Sequence, residues 1–139
     1  MANCHVYTPH PDMLALDEKT RLQWARRLES GQFDQGHGLM LDGGKFCCLG
    51  VLGDMLGVSR ESMEDIAMPH EISLRPEFLY KAGEELQAAA IRRRQFNYKT
   101  EEPEAFITFA NLNDIDGLNF SQIARLIRGY PVVVEADDD

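Results

Sequence analysis

The stretch GGKFCCLGVLGDMLG, residues 43–57, holds two adjacent cysteines, five glycines and a single carboxylate in fifteen positions. Leu49, Leu52 and Leu56 fall on one side of a helix through it, and Gly50, Gly53 and Gly57 on another. Asp54 is the only charge, so most of that helix's circumference is expected to be buried. An interior helical glycine costs about 1 kcal/mol relative to alanine. Gly50 and Gly53 therefore point to a close backbone approach by another element or by a ligand. Immediately upstream, Leu39–Leu41 and Lys45–Cys47 read as the arms of a short hairpin closed by Asp42-Gly43-Gly44.

Outward from this centre the pattern is mostly helical. The segment TPHPDM carries two prolines and reads as an extended lead-in. Asp17 is placed to cap a helix over about 18–30 that Gly31 ends, with Leu22, Ala25, Leu28 and Trp24 as its apolar stripe. Arg21, Arg26 and Arg27 lie mostly off that stripe. A helical turn is expected at SMEDI and a short helix at RPEFLYKAG. EELQAAAIRRR follows as a longer helix, its acids first and its arginines last as the macrodipole favours, before a loop at NYKTEEPE. AFITFANLND is read as a helix with Phe106, Phe109, Ala110 and Asn113 on its core face. Asn119 and Gln122 then match a capping box, with Leu118 and Ile123 as its hydrophobic staple. Ile123, Leu126, Ile127 and Tyr130 form the buried stripe of that last helix, Pro131 ends it, and VVV adds an edge strand. The expected fold is a single α+β domain over 1–131, mainly helical, with a short β-hairpin before a buried glycine-rich helix. An acidic tail occupies 132–139.

Composition narrows the function classes. A length of 139 residues suits one core, and 44% apolar with 27% charged residues is ordinary for a soluble globular chain. No apolar run approaches the roughly 18–20 residues that span a bilayer, and the N-terminus has no basic-then-apolar signal pattern. Three cysteines, two of them neighbours, do not suggest a disulfide framework and fit a reducing cytoplasm. The net charge of −9 is concentrated at Glu101, Glu102 and Glu104 and at Glu135, Asp137, Asp138 and Asp139. Outside those two clusters the charges nearly balance. A negative field works against non-specific nucleic-acid binding, and clustered carboxylates do not imitate a phosphate backbone spread over a face. FSQIARLIRGY is not half of a helix-turn-helix, because Pro131 and the acidic tail stand where a recognition helix would follow.

Four groups could carry chemistry. Cys47 and Cys48 sit where a helix N-terminus would lower a thiol pKa, with His5, His10, His37 and His70 as candidate bases, or they are small apolar core residues. No metal-ligand spacing accompanies them. Gln35, His37 and Lys45 surround the hairpin and suit a phosphate- or carboxylate-bearing ligand, or are simply exposed. Asn113 with Asp114 ends an apolar helix face. A buried amide there must find partners, either a loop or the polar edge of a ligand. Arg92, Arg93 and Arg94, interleaved with Phe96, Tyr98 and Lys99, form the mixture that holds phosphates and stacks on bases, and they also suit a helix C-terminus.

Trp24, the Gln35–Gly38 Q-x-x-G element, Cys47–Leu52 as CCLGVL, and Leu112–Ala124 as L-N-D-x-G-x-x-F-x-x-I-A lie in the stretches 12–57 and 105–130. In these the chain resembles a widespread family of small uncharacterised phage and prophage proteins, with 58–104 as a variable insert. The resemblance implies a phage-encoded counter-defence protein in the host cytoplasm. The expectation is binding without turnover and without a cofactor, sequestering a nucleotide-derived immune signal. Alternatives are an inhibitor that binds a host protein directly, including by acidic DNA mimicry, and a small cysteine-dependent enzyme. A homo-oligomer would let Arg92–Arg94 act from a second subunit. In the expected site the helix N-terminus, the hairpin and Lys45 form one wall of a pocket, and Asn113 with Asp114 the other.

Overall fold

A computed structural model describes residues 4–83, 91–96 and 105–135, the side chains of Gln95, Phe96 and Ala105 apart. The expected helix over 84–90, the loop over 97–104 and the end of the acidic tail lie outside the described residues. The glycine-rich helix is α3, Cys48–Met55, with Cys47 as its N-cap. It sits at the centre: Cys48, Leu49, Gly50, Val51, Leu52 and Gly53 are all buried. Hydrophobic spacing thus dictates a helix that has neighbours on nearly every side.

The hairpin forms as β3 (Leu41–Asp42) and β4 (Lys45–Phe46). Gly43 and Gly44 both have positive φ, +59° and +86°, as a two-residue turn matched to strand twist requires. A third strand, β2 (Asp34–Gln35), pairs in parallel with β4 and gives a sheet of order β2-β4-β3.

A second sheet has the order β6-β5-β1-β7. The proline-containing lead-in is its interior strand β1, Cys4–Pro9, followed by a short helix α1, Pro11–Leu14. β1 pairs antiparallel with β5 (Ile91–Phe96) on one side and with β7 (Val132–Glu135) on the other; β6 is Ala105–Ile107. The body of the fold thus runs on to Glu135, and VVV is an edge strand as read. Arg92–Arg94 are strand residues and not a helix C-terminus. Arg92 and Arg94 on one face and Arg93 on the other leave no period-2 signal in this stretch, and the preceding alanines favour a helix. AFITFANLND divides in the same way into β6 and α6 (Phe109–Asp114), with Thr108 capping α6 through its hydroxyl and Phe106 exposed.

α2, Glu18–Glu29, is capped by Asp17, whose carboxylate accepts from the Thr20 backbone N–H and hydroxyl at 2.9 and 2.6 Å; the hydroxyl bond in particular holds the Asp17 pKa low. α7, Phe120–Ile127, carries the expected Asn119–Gln122 capping box. α2 packs along α7, which lies against β1 and β7. Two side chains depart from the expected stripes. Arg21 is buried on this interface, donating to the Ile127 carbonyl at the α7 C-terminus, where the macrodipole favours a cation. Tyr130 lies past the end of the helix and is exposed. Arg60–Met63 forms α4 and Glu77–Gly83 forms α5, which packs on α3 and buries Leu79 and Ala82. The core gathers Trp24, Phe109, Met13, Met40, Leu49 and Leu52, and the Trp24 and Phe109 rings meet edge-on at 4.9 Å with their planes 63° apart. No helix among the described residues is long and apolar enough to cross a membrane.

Candidate functional site

Asn113 ends α6 with its side chain fully buried. Its Oδ1 accepts from Gln35 Nε2 at 2.9 Å and from the Cys48 backbone N–H at 3.3 Å. Its Nδ2 donates to the Gly36 carbonyl at 2.8 Å and to Asp114 Oδ1 at 2.7 Å. A primary amide offers two donors and two acceptor positions, so Asn113 is saturated. Gln35 Nε2 also donates to the Leu118 carbonyl at 2.8 Å. The sheet, the start of α3, the end of α6 and the turn before α7 are therefore tied at one amide, across 65 to 83 residues of chain.

The two distant stretches meet as expected, but they close on each other. Gln35, Cys48, Asn113 and Asp114 converge, and all the hydrogen-bonding capacity of Asn113 is spent inside the protein. Two surface clefts among the described residues lie elsewhere. One of about 430 Å3 lies between Asp12, Leu16 and Asp17 on one side and Glu77, Phe78 and Lys81 on the other. Another, of about 550 Å3, is lined by Gln122, Arg125, Pro131 and Val133 among others. His37 and Lys45 are exposed on the hairpin side and take no part in the closed network. The expected wall of a pocket is instead a packed joint.

Cys47 tests the thiolate reading directly. It occupies the N-cap of α3, and its Sγ accepts the Gly50 N–H at 3.4 Å, which favours the thiolate. Burial outweighs this and pushes its pKa up to about 12. Cys48 is fully buried, which raises its pKa well above the ordinary value, with further contributions from Cys47 and Asp114. Its Sγ donates to the Phe109 carbonyl at 3.5 Å, and its own carbonyl accepts Trp24 Nε1–H at 2.9 Å. A helix N-terminus thus activates a cysteine only where water can also reach it. Iodoacetamide under native conditions should alkylate the half-buried Cys4 and spare Cys47 and Cys48, whereas denaturant should open all three. Intact-mass spectrometry reads the number of adducts, and fast native labelling at position 47 or 48 would refute the buried-thiol account. Among the described residues no group of three or more His, Cys, Asp and Glu side chains is placed to hold a metal ion.

The arginine cluster divides between the two faces of the large sheet. Arg93 points inward and reaches Asp116 at 3.0 Å. The Tyr7 hydroxyl donates to the same carboxylate at 2.9 Å, and burial together with that bond raises the Tyr7 pKa strongly. Sequence reasoning missed Asp116, whose partner Tyr7 lies 109 residues away in a strand without an alternating signal. Arg92 and Arg94 project from the opposite face. Arg94 is exposed and Arg92 half-buried. Nε of Arg92 is shielded from solvent and has no hydrogen-bond partner among the described residues.

A family model described as Domain of unknown function (DUF8296) matches residues 16–130. No curated protein and no solved structure matches the chain.

Proposed function

The chain belongs to this family, a domain of unknown function (DUF8296), and for it we propose a role in binding without turnover: sequestration of a nucleotide-derived host immune signal by a phage-encoded counter-defence protein in the host cytoplasm. The observation that carries the absence of turnover is the state of the two thiols. The strongest nucleophiles nominated by the sequence are buried, protonated and bonded to backbone, so neither is poised to attack a substrate. The amide that would read a ligand is saturated by the fold. The state of the thiols weighs against the cysteine-dependent enzyme, and the saturated amide takes Asn113 out of the ligand contacts. The counter-defence setting rests on the resemblance to phage proteins. The nucleotide class rests on the arginine- and aromatic-bearing segment, the chemistry that suits phosphates and bases.

The test is uptake and release. The purified chain is incubated with cyclic mono- and dinucleotides and with ADP-ribose-type molecules, separated from free ligand, and heated to unfold it. Chromatography should recover one class of molecule in chemically intact form and in stoichiometric amount. Recovery of an altered product would replace sequestration by catalysis. Absence of uptake across the panel would remove this reading and leave direct inhibition of a host protein as its successor.

A further inference from the structure

We infer that the outward face of the large sheet, centred on Arg92 of β5, is the seat of an anionic nucleotide-type small molecule, with the Arg92 guanidinium on phosphate and Phe106 of β6 against the base. This inference rests on the binding role proposed above and gives it a place. The antiparallel registers fix which side chains share a face. Tyr7, Arg93 and Val132 are partners across three strands and face inward, where Tyr7 and Val132 are buried and Arg93 meets Asp116. Arg92, Arg94, Val6, Thr8, Val133 and Phe106 therefore face outward. In one row across the sheet Arg92 stands between Phe106 on β6 and Thr8 on β1. Directly opposed residues of this kind hold their Cβ atoms about 5 Å apart.

Three observations point to a ligand. First, Arg92 is half-buried, and among the described residues its Nε has no hydrogen-bond partner. An oxyanion meeting the solvent-facing side of this half-buried planar fork gives the guanidinium a charge-assisted acceptor. Second, Phe106 is 53% exposed beside this cation, and the His10 ring braces it edge-on at 5.7 Å. A large ring left bare on a sheet face offers a stacking surface to a base. Third, the surrounding charge selects for size. A net charge of −9 repels a long polyanion over its length, while a small ligand with one or two phosphates feels mainly the adjacent arginine.

The experiment uses the full chain and etheno-ADP-ribose, with fluorescence polarisation as the readout. A cyclic dinucleotide and inorganic pyrophosphate serve as competitors. Arg92→Ala should weaken binding at least about 10-fold and Phe106→Ala by roughly 5-fold, the size of a lost charge-assisted contact and a lost stack. Arg27→Ala, on the exposed side of α2, should bind as wild type does. Pyrophosphate should compete more weakly than the dinucleotide, because it lacks a base. Melting curves of all variants should superimpose, since Arg92 makes no hydrogen bond through Nε and Phe106 is exposed. If the wild type binds and Arg92→Ala binds equally well, the seat is wrong while sequestration stands. If the wild type does not bind etheno-ADP-ribose, the seat falls, and the uptake panel described above decides separately whether sequestration falls with it.

Discussion

Gly50→Ala is expected to destabilise the protein by about 3 kcal/mol or more, near the upper end for overpacking a core. Inside a helix the same change ordinarily gains about 1 kcal/mol. The sign reverses here because a Cβ on Gly50 would stand 1.9 Å from the Met40 carbonyl oxygen and 2.9 Å from its carbon. That carbonyl is not free to withdraw: it accepts the Cys47 N–H at 3.2 Å, while the Met40 N–H donates to the Ile66 carbonyl at 2.7 Å. Backbone held from both sides has nowhere to go. Gly53 supplies the internal control. Its added Cβ would meet chiefly the Met63 sulfur at 2.6 Å, the end of a flexible side chain that can turn away. Gly53→Ala should stay within about 1 kcal/mol of wild type, strain and helix propensity nearly offsetting. Thermal unfolding of the two variants separates the cases, with Gly50→Ala melting roughly 10 °C lower at this chain size. Equal melting temperatures would mean that α3 does not rest on the Met40 backbone.

The pair of glycines also indicates what was legible in the sequence. Two glycines within one apolar helix announced a close approach, and at Gly50 the approaching partner is main chain. Local signals carried well wherever the interaction was short in sequence: Asp17 with Thr20, Asn119 with Gln122, and the Gly43-Gly44 turn. The convergence of Gln35, Cys48 and Asn113 was also readable, because a polar side chain on an apolar face must find partners somewhere. Whether such groups meet around a void or around each other depends on distances of an ångström or two, and no spacing rule reports those. The large sheet was the main loss. β1 is held between β5 and β7, and β5 between β1 and β6, and strands whose faces are both partly polar give no alternation to read. The consequence reached the candidate site, since a helical reading put Arg92–Arg94 round a helix terminus, whereas the strand sends Arg93 inward to Asp116 and leaves Arg92 and Arg94 outside.

Asn113→Leu should cost about 3–4 kcal/mol, because it strands several buried polar groups at once, each worth roughly 1–3 kcal/mol when left without a partner. The Cys48 N–H and the Gly36 carbonyl lose their bonds to the amide, and Gln35 retains only the Leu118 carbonyl. Asn113→Asp separates the electrostatic part of this loss. A carboxylate keeps acceptors for Gln35 and Cys48, but it faces the Gly36 carbonyl and Asp114 with lone pairs instead of hydrogens. Burial and the neighbouring Asp114 would raise the pKa of the new acid in the folded state above its unfolded value. The folded chain then binds the extra proton more tightly, so the variant should regain stability as pH falls. Wild type carries an amide at this position and should show no matching gain, which urea titrations at two pH values measure. Ligand binding by the folded fraction distinguishes joint from pocket. If Asn113 is a joint, Asn113→Leu binds etheno-ADP-ribose with wild-type affinity at low temperature despite its lost stability. If affinity collapses while stability holds, the closed amide network opens to admit a ligand, and the seat assigned to the sheet face must be given up.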